Sequence, residues 1–299
     1  MKSINAILLA SLAAITFSCG KYAYVMDEVE ENGIVHHELK RTYLLHIPEG
    51  YSSEKKYPLI FVLHGITSRA KAIAAFSGFN DLADEKGFIV CYPQGVGRSW
   101  GVDIPVGKAG RKNIDDVSFI SALLDSLSLR YSIAEDSIFS CGISNGGFMS
   151  TKLACNMPGT FAGIGLVCSN MFEPTEKFCI NPDETGVVFF GACDDPFLNY
   201  LGGSEKEKFP TTGYPGGVDF WMTENNCLDM MDSITIDNLP DDKTAVEKYT
   251  HCEKIVLYEI RGGGHGWPGR DKVFKENIFG RVTREIDASE EIVKFFLKR

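Results

Sequence analysis

The chain has no Cys-x-x-Cys, no His-Glu-x-x-His and no basic cluster larger than Gly107-Lys108-Ala109-Gly110-Arg111-Lys112. Without the first two spacings a structural or catalytic metal site is not expected, because zinc sites draw their ligands from such pairs. No organic cofactor is expected either. The triple glycine at 262–264 is not followed by a helix with Gly-x-Gly-x-x-Gly spacing, so it is no phosphate loop. A net charge of −10 argues against nucleic acid as a partner, since phosphate binding rests on cationic side chains. Beyond the N-terminus no apolar run is long enough to span a bilayer. Repeats, low-complexity tracts and linkers are also missing, so residues 21–299 are expected to form a single catalytic-size domain.

What precedes that domain reads differently. Lys2 gives a positive start, residues 4–17 are mostly apolar, and Ser18-Cys19-Gly20 offers small residues for cleavage. Residues 1–20 therefore read as a secretory signal peptide. Thr16-Phe17-Ser18-Cys19 also loosely matches a bacterial lipoprotein signal, with Thr16 where leucine is usual. A lipidated Cys19 is the one route to a membrane that the sequence offers. Export permits disulfides, and the chain has nine cysteines. Cys227 and Cys252 flank an irregular polar insertion and are expected to pair. Cys91 and Cys141 fall inside apolar strands and read as free thiols. Cys155, Cys168, Cys179 and Cys193 leave one further bridge open.

Apolar runs alternate with helical stretches, the pattern of a parallel sheet covered on both faces. Strands are expected over residues 41–47, 59–63, 88–92, 164–168, 187–190 and 255–260. Helices are expected over 70–86, from Asp115 or Asp116 to about 130, and over 286–297. Residues 197–250 read as irregular around one short helix near 218–226. Between the third helix-strand pair lies Ile138-Phe139-Ser140-Cys141-Gly142-Ile143-Ser144-Asn145-Gly146-Gly147. It is a strand, then Gly-x-Ser-x-Gly, then a helix start, which is the nucleophile elbow of an α/β-hydrolase.

A serine hydroxyl needs a histidine to take its proton and a carboxylate to orient that histidine. In this fold the order along the chain is serine, acid, histidine, and the site lies at the carboxyl ends of strands. Only His251 and His265 follow Ser144. His265 sits after the last strand in Gly262-Gly263-Gly264-His265-Gly266-Trp267-Pro268-Gly269, whereas His251 lies before it. For the acid, Asp194 and Asp195 both follow the strand at 187–190. The oxyanion hole is expected from the N–H of Asn145, the residue after the nucleophile, and of Ile66 (Gly65 being the next choice). His64 reads as a loop-positioning residue.

These motifs together resemble a secreted esterase family, the one that groups polyhydroxybutyrate depolymerases with feruloyl and acetylxylan esterases of carbohydrate esterase family one. Matching stretches include Tyr92-Pro93-Gln94-Gly95, Arg98-Ser99-Trp100, Ile114-Asp115-Asp116-Val117, the Ser-Asn-Gly-Gly elbow and the Gly-Gly-Gly-His-x-Trp-Pro-Gly run. The resemblance implies Asp195 as the acid, through Asp195-Pro196-Phe197-Leu198-Asn199-Tyr200, although one extra residue after Gly191 keeps Asp194 in view. It also implies a bond between Cys227 and Cys252. Gly101 stands where the family often has asparagine. The activity implied is ester hydrolysis by Ser144, His265 and Asp195, on feruloyl or acetyl esters of plant cell-wall polysaccharide. Trp100 and Trp267 read evenly as flanks of an aromatic acyl group or as core packing. Polyhydroxybutyrate is the alternative substrate, weakened by the lack of a polymer-binding segment after the closing helix. An inactive, surface glycan-binding lipoprotein is the alternative of another class. A prolyl-oligopeptidase-like peptidase is disfavoured, because the chain has no room for a propeller.

Overall fold

A computed structural model describes residues 30–179, 185–203, 210–227 and 232–298. The leader expected at residues 1–20, with Cys19, lies outside them. Ten strands form one sheet: β1 (Glu30–His36), β2 (Leu39–His46), β3 (Tyr57–Leu63), β4 (Ile89–Pro93), β5 (Ile133–Ile143), β6 (Gly163–Val167), β7 (Gly186–Ala192), β8 (Asp232–Ile236), β9 (Ala245–His251) and β10 (Ile255–Arg261). Their order is β1-β2-β4-β3-β5-β6-β7-β10-β9-β8. The six from β4 to β10 run parallel, and an antiparallel pair closes each edge. This is the α/β-hydrolase arrangement, mostly parallel with helices on both faces.

The continuous apolar strands are explained by that position. Successive side chains point to opposite faces, and in β3 both faces are covered. Leu59, Phe61 and Leu63 enter one core layer, packed with the helices Asp116–Ser128, Asn145–Asn156 and Gly213–Glu224. Ile60 and Val62 enter the other, packed with the helices Ala70–Ser77, Phe79–Lys86 and Ala288–Phe296. Asp115 caps the first of these helices, its carboxylate accepting from the Ser118 N–H at 3.0 Å.

Three expectations are corrected. Residues 70–86 are not one helix; Gly78, in the left-handed region at φ 79°, ends one and starts another. The break is filled by Arg270, which donates to the carbonyls of Phe76 (2.7 Å) and Ser77 (3.0 Å). A Cβ on residue 78 would lie 2.7 Å from that guanidinium. The stretch 197–250 is not irregular around one helix, since it also carries β8 and β9. At the other end β1 precedes the first expected strand.

Two disulfides are present. Cys227–Cys252 joins the end of the helix Gly213–Glu224 to the β9–β10 turn, with Cα atoms 5.6 Å apart. Cys155–Cys179 is the further bridge left open by the sequence, at 4.5 Å. Cys91, Cys141 and Cys168 are buried free thiols and Cys193 is half-buried. Among the described residues no helix is long and apolar enough to cross a membrane.

Candidate active site

Ser144 sits at the carboxyl end of β5, where the strand meets the helix Asn145–Asn156. Its backbone is at φ 54°, ψ −124°, a conformation costing a non-glycine residue about 1–3 kcal/mol. The surroundings enforce it. The Ser144 N–H donates to the Val167 carbonyl of β6 at 2.9 Å, and the Ser144 carbonyl accepts from Phe148 at 3.0 Å. The flanking glycines permit the turn. A Cβ on Gly142 would come within 2.6 Å of the Leu63 carbonyl, and one on Gly146 would fall on that same carbonyl.

The loop after β3 lies beside this turn. A Cβ on Gly65 would be 3.7 Å from the Ser144 Cβ, so Ile66 follows the serine's neighbour in space. Asn145 opens the helix, and the first N–H groups of a helix have no partner within it. Its side chain is committed elsewhere: Oδ1 accepts from the Trp100 N–H at 2.7 Å. His64 is fully buried and holds the neighbouring loops together. Its Nδ1 faces the Gly65 carbonyl at 2.8 Å, while Nε2 accepts from the Gly95 N–H at 3.0 Å. That pattern needs the neutral ring protonated at Nδ1. Burial lowers the His64 pKa to about 4, with Arg98 pushing the same way against the Gly65 hydrogen bond.

Behind Trp100 stands a buried ion pair. Arg41 meets Asp116 at 2.6 Å, and the other Asp116 oxygen accepts from the Gly101 N–H at 2.8 Å. A side chain on Gly101 would strike the Ile114 carbonyl.

The histidine and the acid arrive from the far side. His265 follows β10 and Asp195 follows β7, and those strands are parallel neighbours. His265 Nδ1 lies 2.6 Å from Asp195 Oδ2, with the carboxylate fully buried. The other oxygen, Oδ1, accepts from the Phe197 and Leu198 N–H groups at 2.8 and 3.1 Å. Asp194 is exposed, and its N–H donates to the Gly263 carbonyl at 2.9 Å. Of the two aspartates, Asp195 reaches the imidazole. The histidine loop is fixed by its backbone: His265 N–H donates to the Phe279 carbonyl at 2.5 Å and Gly264 N–H to Arg281 at 2.7 Å.

Cys168 joins these parts. It follows β6 directly after Val167, the acceptor for Ser144, and its own N–H donates to Phe190 of β7 at 3.0 Å. The thiol donates to the Gly266 carbonyl at 3.2 Å and approaches that of Gly264 at 3.7 Å, bracketing His265. Cys168, Asp195 and His265 place donor atoms within 4.8 Å of one another. Burial, reinforced by the Asp195 charge, pushes this thiol well above its usual pKa.

Trp100 and Trp267 are corrected as substrate-pocket residues, because both are completely buried. The Trp100 indole N–H donates to the His64 carbonyl at 2.9 Å. That of Trp267 donates to Ser289 at 3.0 Å, with the ring wedged edge-on between Phe76 and Phe79. Phe197 is the exposed ring at the site instead. A polar cavity of about 580 Å³ lined by Asp103, Lys152 and Thr175, among others, takes in none of Ser144, Asp195 or His265. Cys168 and Phe197 were missed from sequence. The first was grouped with bridge-forming cysteines, and the second had only its place two residues after Asp195 to mark it.

The chain is similar to known esterases. The family described as "Putative esterase" matches residues 36–247. The "Probable feruloyl esterase C" of Aspergillus terreus is 27% identical over 86% of this chain and 86% of its own. "Poly(3-hydroxyalkanoate) depolymerase C" of Paucimonas lemoignei is 26% identical over 75% of this chain, which spans 58% of that enzyme's length. Among solved structures, the acetyl xylan esterase from Aspergillus awamori shares the fold, with a TM-score of 0.61 at 13% identity over 89% of this chain and 98% of the other. With most of its length matched by this family model, the chain belongs to the esterase family and is a carboxylic-ester hydrolase.

Proposed function

We propose that this esterase works through Ser144, His265 and Asp195. Ser144 Oγ attacks the ester carbonyl carbon while His265 Nε2 takes its proton. Asp195 holds the Nδ1–H tautomer and stabilises the imidazolium that forms. The N–H groups of Asn145 and Ile66 receive the oxyanion, a donor in such a hole being worth about 3–4 kcal/mol of transition-state stabilisation. The protonated His265 then gives its proton to the alcohol oxygen, and the alcohol departs. Water, deprotonated by the same imidazole, releases the acid from Ser144. The observation that carries this reading is the 2.6 Å contact between His265 and a buried Asp195 carboxylate already held by two N–H donors.

The substrates proposed are feruloyl or acetyl esters of plant cell-wall polysaccharide, supported by the relative named as a feruloyl esterase. A 3-hydroxybutyrate polyester is the second reading, supported by the relative named as a depolymerase. Export is proposed from the leader at residues 1–20, with lipidation at Cys19 as an option. Two disulfides fit an oxidising compartment.

Ser144→Ala in the purified mature protein is expected to cut nitrophenyl acetate turnover by several orders of magnitude and to abolish labelling by a fluorophosphonate. Unchanged turnover would refute the serine mechanism, and an unlabelled wild type would favour a binding module. Release of ferulate, acetate and 3-hydroxybutyrate from matched esters decides among the substrates.

A further inference from the structure

We infer that Phe197 sets selectivity for the alcohol half of the ester, an inference that rests on the roles proposed above for Ser144 and His265. The ring is 47% exposed, and single exposed apolar side chains are ordinary. Leu129, at 90%, and Phe178, at 71%, are more exposed still. What sets Phe197 apart is where it is held. Its ring meets the His265 imidazole edge-to-face, with centroids 5.1 Å apart and planes at 77°. Its N–H is tied to Asp195 Oδ1. Phe279, whose carbonyl accepts from the His265 N–H, also meets it, with ring centroids 5.9 Å apart. The half-exposed side chain is thus held in the same frame as the imidazole.

The chemistry of the imidazole says which part of an ester meets that ring. His265 receives a proton from Ser144 and delivers it to the departing alkoxide. The alcohol oxygen must therefore lie against the imidazole, and the group it carries extends past the imidazole's neighbours. The carbonyl oxygen is turned toward the N–H groups of Asn145 and Ile66 proposed for the oxyanion. A phenyl ring with no hydrogen-bonding group accepts an apolar face: the C–H face of a sugar, or an aryl or alkyl alcohol. It discriminates weakly among acyl chains, which point elsewhere.

The test uses two ester series on the mature protein. One varies the alcohol at constant acetyl (methyl acetate, benzyl acetate, an acetylated methyl xyloside). The other varies the acyl group at constant methanol (methyl acetate, methyl butyrate, methyl ferulate). For Phe197→Ala, the kcat/KM ratio of benzyl to methyl acetate should fall about tenfold, largely through KM, and Phe197→Trp should restore it. Ratios within the acyl series should stay as in the wild type. The inference is overturned if the acyl ratios move instead. It is equally overturned if kcat drops by the same factor for every ester, since the ring would then only position His265. A wild type that ignores the xyloside but hydrolyses the other acetates removes the polysaccharide assignment alone, and the benzyl-to-methyl ratio still decides the role of Phe197. A Ser144→Ala variant that keeps its turnover removes the premise, and the inference falls with it.

Discussion

Cys168 shows how much one small side chain can determine. A sulfur packed at the end of β6 donates to the Gly266 carbonyl and lies near that of Gly264, on either side of His265, while the residue before it anchors the Ser144 backbone. It touches no reacting atom, so it is a positioning residue. Cys168→Ala, which removes the donor at little change in volume, should lower kcat about tenfold with KM nearly unchanged, because the loss is one of alignment. Cys168→Ser keeps a donor and should recover most of the rate. A full wild-type kcat in the alanine variant, measured well below its melting temperature, would contradict this role. At this scale the sequence speaks clearly where backbone chemistry constrains it: Ser144 lies between glycines that no other residue could replace, and His265 is the one histidine after the last strand. For Trp100 and Trp267, proximity to a motif does not say which way a ring faces. Both turned inward, where their indole N–H groups find a carbonyl and a hydroxyl.

Among the elements, the loops after β3 and β4 act as one unit pinned by His64. That histidine must stay neutral, since its Nε2 accepts from the Gly95 N–H. Its pKa is lowered to about 4, against about 6.5 in an unfolded chain. Above pH 6.5 both states are neutral there and the loop is fully stabilised. Between pH 6.5 and 4 the unfolded chain binds the proton first, so folding stability falls by about 3 kcal/mol from this group alone. Urea unfolding at pH 7 and pH 4 should show that loss in the wild type and a smaller one in His64→Asn; equal losses would rule it out. Central strands were legible because burial on both faces makes them continuous apolar runs. The edge strands were not. β8 (Asp-Ser-Ile-Thr-Ile) is nearly all exposed, and β1 has a glycine and charged residues. What makes them strands is pairing with β9 and β2, a long-range fact that local composition does not encode. The break at Gly78 was hidden for the same reason, its cause being an arginine far along the chain.

Across the whole molecule, the two disulfides close loops with sequence separations of 24 and 25 residues. Each should stabilise the fold by about 3.5 kcal/mol on the chain-entropy model. Treatment with a reductant that opens both should lower the melting temperature clearly at constant pH. An unshifted transition, with free thiols confirmed by titration, would show that neither bridge restrains the unfolded chain. The strand order carries a different consequence. Residues 232–251 are synthesised before β10, yet β9 and β8 join the sheet only through it. Until β10 slots in beside β7, the entirely buried β7 has a bare hydrogen-bonding edge, the kind of template on which other chains aggregate. A chain clipped near residue 250 would therefore be more than a hydrolase without its base: it would be sticky, which makes the final fifty residues a safeguard on the protein's solubility as well as the carrier of His265.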